Sequence, residues 1–420
     1  MSTYNIRREN KPKLSGGKRF LLMLAAMGPG ITVMLADTDA GSIITAAQSG
    51  AEWGYKLILL QLILIPILYI VQELTTRIGI VTRKGHGELI EETFGKGWAW
   101  LSVCTLFVST VGALITEFSG IMGVGLLFGV SKWIMVPLAV FALILLSLTG
   151  KYKFVERVAI VVGAFELVFI PAMIFAKPDY ASVMMSLVGS EPLNSSAYWL
   201  LIAANVGAVI MPWMVFYQQG AVVDKGLTEK HLKSSRIDTI FGSIITQLIC
   251  CVVIIAVAAT IGMSNPNASL NTVQQISQAL TPFLGQTVGK ILFAVGLSGA
   301  ALVAAIVVTL ASSWGFGEIF KKPASLNYKW SEAPAFYIFY SSLLIIAGII
   351  VLSGVPLVPL TLGVEILNTI LLPIVLGFLI ALAWKVLPKK HALHLWEKIV
   401  LIFIYIVVCG LGVLTLYLTF

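Results

Sequence analysis

Charge is scarce in this sequence. Charged residues make up 11% of its 420 positions, where a soluble domain carries about 25%. That is too few to clothe a water-facing surface, so a soluble enzyme, a nucleic-acid binder and a disordered chain are excluded together. Cysteine is also sparse. Cys104, Cys250, Cys251 and Cys409 form no CxxC or Cys/His cluster, which argues against a disulfide framework or a zinc site. They are expected as small buried apolar residues. The four histidines, His86, His231, His391 and His394, fall in loops between apolar stretches, far from the middle of any of them. No HExxH motif or nucleophile–base pair is present. No enzymatic activity and no cofactor are therefore expected.

Apolar residues are abundant. They make up 58% of the chain, and the mean hydropathy is +0.95. Stretches of 18 residues or more recur, each able to cross a bilayer core of roughly 30 Å. Hydropathy places eleven spans, at about 20–50, 56–80, 99–128, 132–149, 155–176, 197–218, 238–262, 287–316, 336–353, 358–384 and 397–419. They must be helical, because the bilayer interior offers no water to unpaired backbone groups. The expectation is an all-α polytopic membrane protein. All of the 28 Lys and Arg residues except Lys56, Lys132, Lys177 and Lys290 fall at the N-terminus or in alternate loops. By the positive-inside rule the N-terminus is cytoplasmic and the C-terminus external. The +8 net charge follows from this loop bias and needs no nucleic-acid partner.

Two spans are interrupted. The first contains Gly28-Pro29-Gly30 and then Asp37-Thr38-Asp39-Ala40-Gly41-Ser42, six residues with two aspartates at mid-membrane. The sixth contains Asn205, Gly207, Ala208, Met211 and Pro212, and the proline removes a backbone donor. Breaks five spans apart are the signature of a five-plus-five inverted-repeat transporter whose broken helices meet at the bilayer midplane. Segment 1–17 is a basic cytoplasmic tail. Residues 18–384 form the ten-helix core, with repeats at about 18–176 and 197–384, and 385–420 add a loop and an eleventh helix.

Carboxylates inside a bilayer are costly and persist only when paired, protonated or bound to a cation. Asp39 and Asp37 have no basic neighbour in sequence. Cation binding and helix capping both suit them. Glu73 and Arg77 are spaced as a helical ion pair. Glu117 and Glu166 are buried by position, and Glu117 is a candidate ion or proton relay. Glu365, one turn before Asn368, faces the site or a packing neighbour. Met211, at a helix break, is a candidate soft ligand.

The stretch from Gly28-Pro29-Gly30 to Gly79-Ile80-Val81-Thr82, together with Gly207-Ala208 and Met211-Pro212, resembles the natural resistance-associated macrophage protein (NRAMP) family of divalent-metal transporters. The resemblance runs over spans 1 to 10. It implies a LeuT-type fold and a divalent ion as cargo, with Asp39, Ser42, Ala208, Met211, Asp37 and Glu365 around it. The family's Asp-Pro-Gly-Asn motif reads Asp39-Ala40-Gly41-Ser42 here. Its sixth-helix histidines become Trp213 and Gln218, and its third-helix aspartate becomes Leu114, while Glu117 is kept. The lost groups are mostly those a proton path needs, as in the prokaryotic NRAMP-related magnesium transporters. The resemblance therefore implies alternating-access transport of Mg²⁺, and also Mn²⁺, without proton coupling. Glu117 and Gln218 remain on any ion or proton path. Proton-coupled Mn²⁺/Fe²⁺ uptake and a cation-coupled organic-solute carrier are the alternatives. The expected setting is a monomer in a prokaryotic plasma (inner) membrane.

Overall fold

Asp37 to Asp39 interrupt the first apolar run and Pro212 the sixth, and the helices break there, whereas Pro66, Pro137 and Pro373 stay inside theirs. A computed structural model describes residues 28–189, 191–262, 270–280, 286–354 and 356–419. The basic segment 1–17 and the start of the first span lie outside the described residues. Helix α1 (Pro29–Asp37) and helix α2 (Ala40–Trp53) are the halves of the first span. Helix α3 (Ile58–Thr82), the short α4 (His86–Phe94), α5 (Lys96–Leu127) and α6 (Lys132–Ser147) follow. The fifth span is α7 (Tyr152–Gly163), a 3₁₀ stretch (Ala164–Val168) and α8 (Phe169–Ala176), and α9 (Tyr180–Ser186) lies beyond it. The sixth span is again two halves, α10 (Ser196–Val209) and α11 (Pro212–Asp224). The chain continues through α12 (Leu232–Val257), α13 (Val273–Leu280), α14 (Gln286–Phe320), α15 (Pro334–Leu352), α16 (Leu357–Val386) and α17 (Leu395–Thr419). No strand occurs among the described residues.

Among these residues nine helices are long and apolar enough to cross a membrane, the two halves of the sixth span being counted as one. The eleven spans read from hydropathy differ from that number for two reasons. Helix α6 has only 16 residues, about 24 Å of rise, which is short of the bilayer core. The first span is cut into pieces of 9 and 14 residues.

The broken helices lie at the centre of the packing. Helix α12 lies against α1, α2 and α3, helix α10 against α16, and helix α14 against α5 and α11. Contact between α10 and α16 is close enough that a Cβ on Gly207 would stand 1.8 Å from the Glu365 carbonyl oxygen, so only glycine fits there. The N-terminus of α1 is held by Asp238 of α12, whose carboxylate accepts from the N–H groups of Gly28 (3.0 Å), Gly30 (2.8 Å) and Ile31 (3.3 Å). An acidic side chain at a helix N-terminus satisfies orphan donors and complements the dipole.

The helical pair Glu73–Arg77 forms, at 2.6 Å, and belongs to a larger network. Arg77 also meets Glu397 of α17 at 2.6 Å, and Arg236 of α12 meets Glu73 at 2.7 Å. One buried guanidinium thus fastens the eleventh helix to the core. His86 departs from the loop position expected for it. It opens α4, is fully buried, and packs edge-on against Phe216 with Nδ1 3.0 Å from Gln219. Cys104 is likewise not a buried residue but an exposed one on α5, while Cys250 and Cys251 are buried as expected.

Removing Arg77 leaves Glu397 without its basic partner and Glu73 with Arg236 alone. Arg77→Ala should cost roughly 3–5 kcal/mol of stability and lower the melting temperature of the purified protein markedly. Arg77→Lys should fall between. A melting curve for Arg77→Ala that overlays wild type would refute the role of this network.

Candidate metal centre

The sequence placed an interruption among the six residues Asp37 to Ser42 of the first span. Only Thr38 and Asp39 leave the helix, with Asp39 extended at φ −70° and ψ −179°. This economy comes from Asp39 acting as the N-cap of α2, its Oδ1 accepting from the Ser42 N–H at 2.7 Å. Capping and ion binding are therefore not exclusive, because Oδ2 is buried with no partner. Asp37, the last residue of α1, is 2% exposed, and its Oδ1 is also without a partner.

In the sixth span Ile210 and Met211 break the helix. Ala208 stays within α10. Its carbonyl would normally accept from the N–H four residues on, but that residue is Pro212, which has none. The Ser42 hydroxyl takes the missing donor's place, its Oγ lying 3.0 Å from the Ala208 oxygen and 2.6 Å from the Asp37 oxygen, so that one hydrogen is shared between two acceptors. One hydroxyl thus bridges the two breaks. Met211 is fully buried, and its sulfur accepts from the indole N–H of Trp213 at 3.1 Å.

Two further carboxylates converge on Asp39. A Cβ on Gly41 would lie 2.2 Å from Glu365 Oε1 and 3.1 Å from Asp39 Oδ1, so the absence of a side chain at Gly41 lets these two acids meet. Glu365 Oε2 accepts from Asn368 at 3.0 Å, and Asn368 accepts from Ser109 at 2.7 Å. Glu117 is buried beside the Asp39 carboxyl group. Its Oε2 accepts from the Ala40 N–H at 3.2 Å, and its Oε1 has no partner. Gln218 stands apart, about two turns along α11 from Met211, where it donates to Thr76 at 2.6 Å.

The structure thus gathers Asp37, Asp39, Ser42, Ala208, Met211, Glu117 and Glu365 around the two breaks and sets Gln218 farther along α11. Among the described residues no Lys or Arg forms an ion pair with any of these carboxylates. No three of His, Cys, Asp or Glu make a ready-made metal cluster either. The arrangement offers strong negative charge and few rigid ligands. Sequence reasoning left two members unassigned. Glu166 was visible as a charge in an apolar run, but nothing in the sequence marked its 3₁₀ setting. The Trp213–Met211 contact had no sequence signal beyond the tryptophan itself.

The sequence profile of the family described as natural resistance-associated macrophage protein-like matches residues 30–418. The chain belongs to that family. NRAMP relatives include the divalent metal cation transporter MntH of Deinococcus radiodurans, 29% identical over 81% of each chain. The protein of the same name from Verminephrobacter eiseniae is 27% identical over 77% of this chain and 76% of its own. Among solved structures, the Eremococcus coleocola manganese transporter superposes with a TM-score of 0.74 at 18% identity, covering 97% of this chain and 88% of that one. MhsT bound to L-phenylalanine superposes with a TM-score of 0.63 at 13% identity, covering 98% and 100%. The fold is therefore that of NRAMP and LeuT-type transporters. NRAMP membership makes the chain a multi-pass membrane transporter and not an enzyme.

Proposed function

We propose that this NRAMP protein carries divalent cations by alternating access at the paired helix breaks, with a preference for Mg²⁺ over Mn²⁺. The names of its relatives, divalent-metal and manganese transporters, support the cargo class. The observation that carries the preference is the Trp213–Met211 contact. The thioether would favour softer ions, but its sulfur is engaged by an indole N–H. The Ala208 and Asp37 carbonyls are engaged by Ser42. The acceptors without a partner at the breaks are carboxylate oxygens of Asp37, Asp39 and Glu117. Hard, sparse oxygen ligands suit an ion that keeps much of its water, as Mg²⁺ does. Glu365 then orders that water from the second shell.

Transport without proton coupling is energetically sufficient. Two charges crossing 100 mV gain about 4.6 kcal/mol, enough for roughly a 2,000-fold gradient. Trp213, Gln218 and Leu114 supply no titratable group on the path. The charge bias of the loops supports a cytoplasmic N-terminus, an external C-terminus and placement in a prokaryotic inner membrane. Proton-coupled Mn²⁺ uptake is the second reading, favoured by the retained Met211 and by the manganese transporter sharing the fold. An organic-solute carrier is disfavoured, because these carboxylates repel a substrate carboxylate.

Reconstituted protein in vesicles, with Mg²⁺, Mn²⁺ and Ca²⁺ uptake and lumenal pH followed together, tests these points. Asp39→Ala should abolish uptake of every divalent ion while the protein still folds, and wild-type-like uptake would sink the site. Uptake by wild type should leave lumenal pH unchanged, whereas acidification scaling with metal entry would favour the second reading. Glu365→Ala should weaken Mg²⁺ uptake.

Trp213→Phe removes the N–H from the sulfur and should raise Mn²⁺ uptake several-fold relative to Mg²⁺. Met211→Ala should leave Mg²⁺ uptake within a few-fold of wild type. A large Mn²⁺-selective loss in Met211→Ala, with Glu365→Ala silent, would mean that the sulfur binds the ion in the native protein and that the magnesium preference is wrong.

A further inference from the structure

Behind the first break lies an acid that the divalent site does not use. Glu166 sits in the 3₁₀ stretch Ala164–Val168, which interrupts the fifth span at mid-membrane. Such a stretch inside a helix often marks a functional position. The side chain is fully buried, and the Thr38 hydroxyl is its one close polar neighbour among the described residues, with no well-formed hydrogen bond to either carboxylate oxygen. The stretch nestles against α14, where Gly299 meets the Val162 carbonyl and Phe165, and Gly296 meets Val168 and Phe169.

Every neighbour that bears on Glu166 is negative or neutral. From the first span it faces the Thr38 hydroxyl, with the Asp37 and Asp39 carboxyl groups in electrostatic range. From α12 it has Cys250 nearby. Helix α14 carries no charged residue between Lys290 and Glu318, and the basic residues of the fifth span, Lys153, Arg157 and the flanking Lys177, stand toward its two ends. No ion pair to Glu166 exists among the described residues.

Charge balance then narrows the choice. Asp37, Asp39, Glu117, Glu166 and Glu365 are all buried, and a divalent cargo offsets only two of their charges. Glu166 calls for one further positive charge. A proton would satisfy one oxygen and leave the other, and Asp37 Oδ1, still bare. A metal cation takes several oxygens at once. Thr38 can join it, because a hydroxyl oxygen bonded to Thr246 still has a lone pair to offer a cation whichever of the two donates. We propose that Glu166 and Thr38, with the Asp37 carboxylate shared between the two sites, form a second cation site behind the divalent one, which takes an alkali cation and supports transport when filled.

The test uses the full chain at constant ionic strength in NaCl, KCl or choline chloride. In detergent, wild type should melt several degrees higher in Na⁺ or K⁺ than in choline, and the ion giving the larger shift is the ligand. In vesicles the same ion should raise Mg²⁺ uptake at least two-fold. E166Q, which keeps the shape and removes the charge, should lose both effects and run at the choline rate of wild type. T38V should weaken both. Added Mg²⁺ should still raise the melting temperature of E166Q, which separates this site from the divalent one even if transport is not observed. Identical wild-type melting and uptake in alkali and choline would overturn the proposal. So would an alkali effect that persists in E166Q, which would put the cation elsewhere.

Discussion

Negative charge without a protein counter-charge, held in a medium of low dielectric, is the constraint on which the centre of this molecule depends. The energy of an uncompensated carboxylate at this depth is several kcal/mol or more. Nothing among the described residues pairs with those at the breaks, although buried pairs are made elsewhere, as Arg77 with Glu73 and Lys225 with Glu156. Cations are therefore admitted to the centre as visitors, not supplied as side chains. The rest of the bundle keeps this charge away from lipid and water, with long helices packed around two that stop short.

The two broken helices achieve their openings differently. In the first span an aspartate caps the second half and limits the unwound stretch to two residues. In the sixth, a proline deletes one donor and leaves one carbonyl free while the helix remains helical up to it. Ser42 reads both results, since its hydroxyl lies within bonding distance of one carbonyl from each break. In the same region Trp213, a side chain that cannot titrate, engages the Met211 sulfur.

Much of this was legible in the sequence because the bilayer leaves few choices. Apolar length located the spans, and aspartate and proline within them located both breaks. The resemblance pointed to Asp39, Ala208, Met211 and Glu365, all of which the fold brings together. The extent of the breaks was less legible, because the sequence does not reveal that a cap and a missing N–H can open a helix so narrowly. His86 looked like a loop residue because its burial depends on Phe216 and Gln219, distant in sequence. The grip of Asp238 on α1 and the reach of Arg77 to α17 are long-range pairings that periodicity cannot encode. Glu166 was visible only as a misplaced charge, since the local tightening of its helix comes from packing against α14.

The serine bridge has a kinetic meaning. A cation that draws on the Asp37 or Ala208 oxygen competes with the Ser42 hydroxyl, whose single hydrogen reaches either one. Loading and unlatching are then a single event. An empty carrier remains pinned across its own midline, with the two half-helix pairs fastened by a bond that only the cargo has reason to undo. If transport is uncoupled, as proposed, such a latch keeps the empty carrier from becoming a leak, because it opens for an occupant and closes behind it.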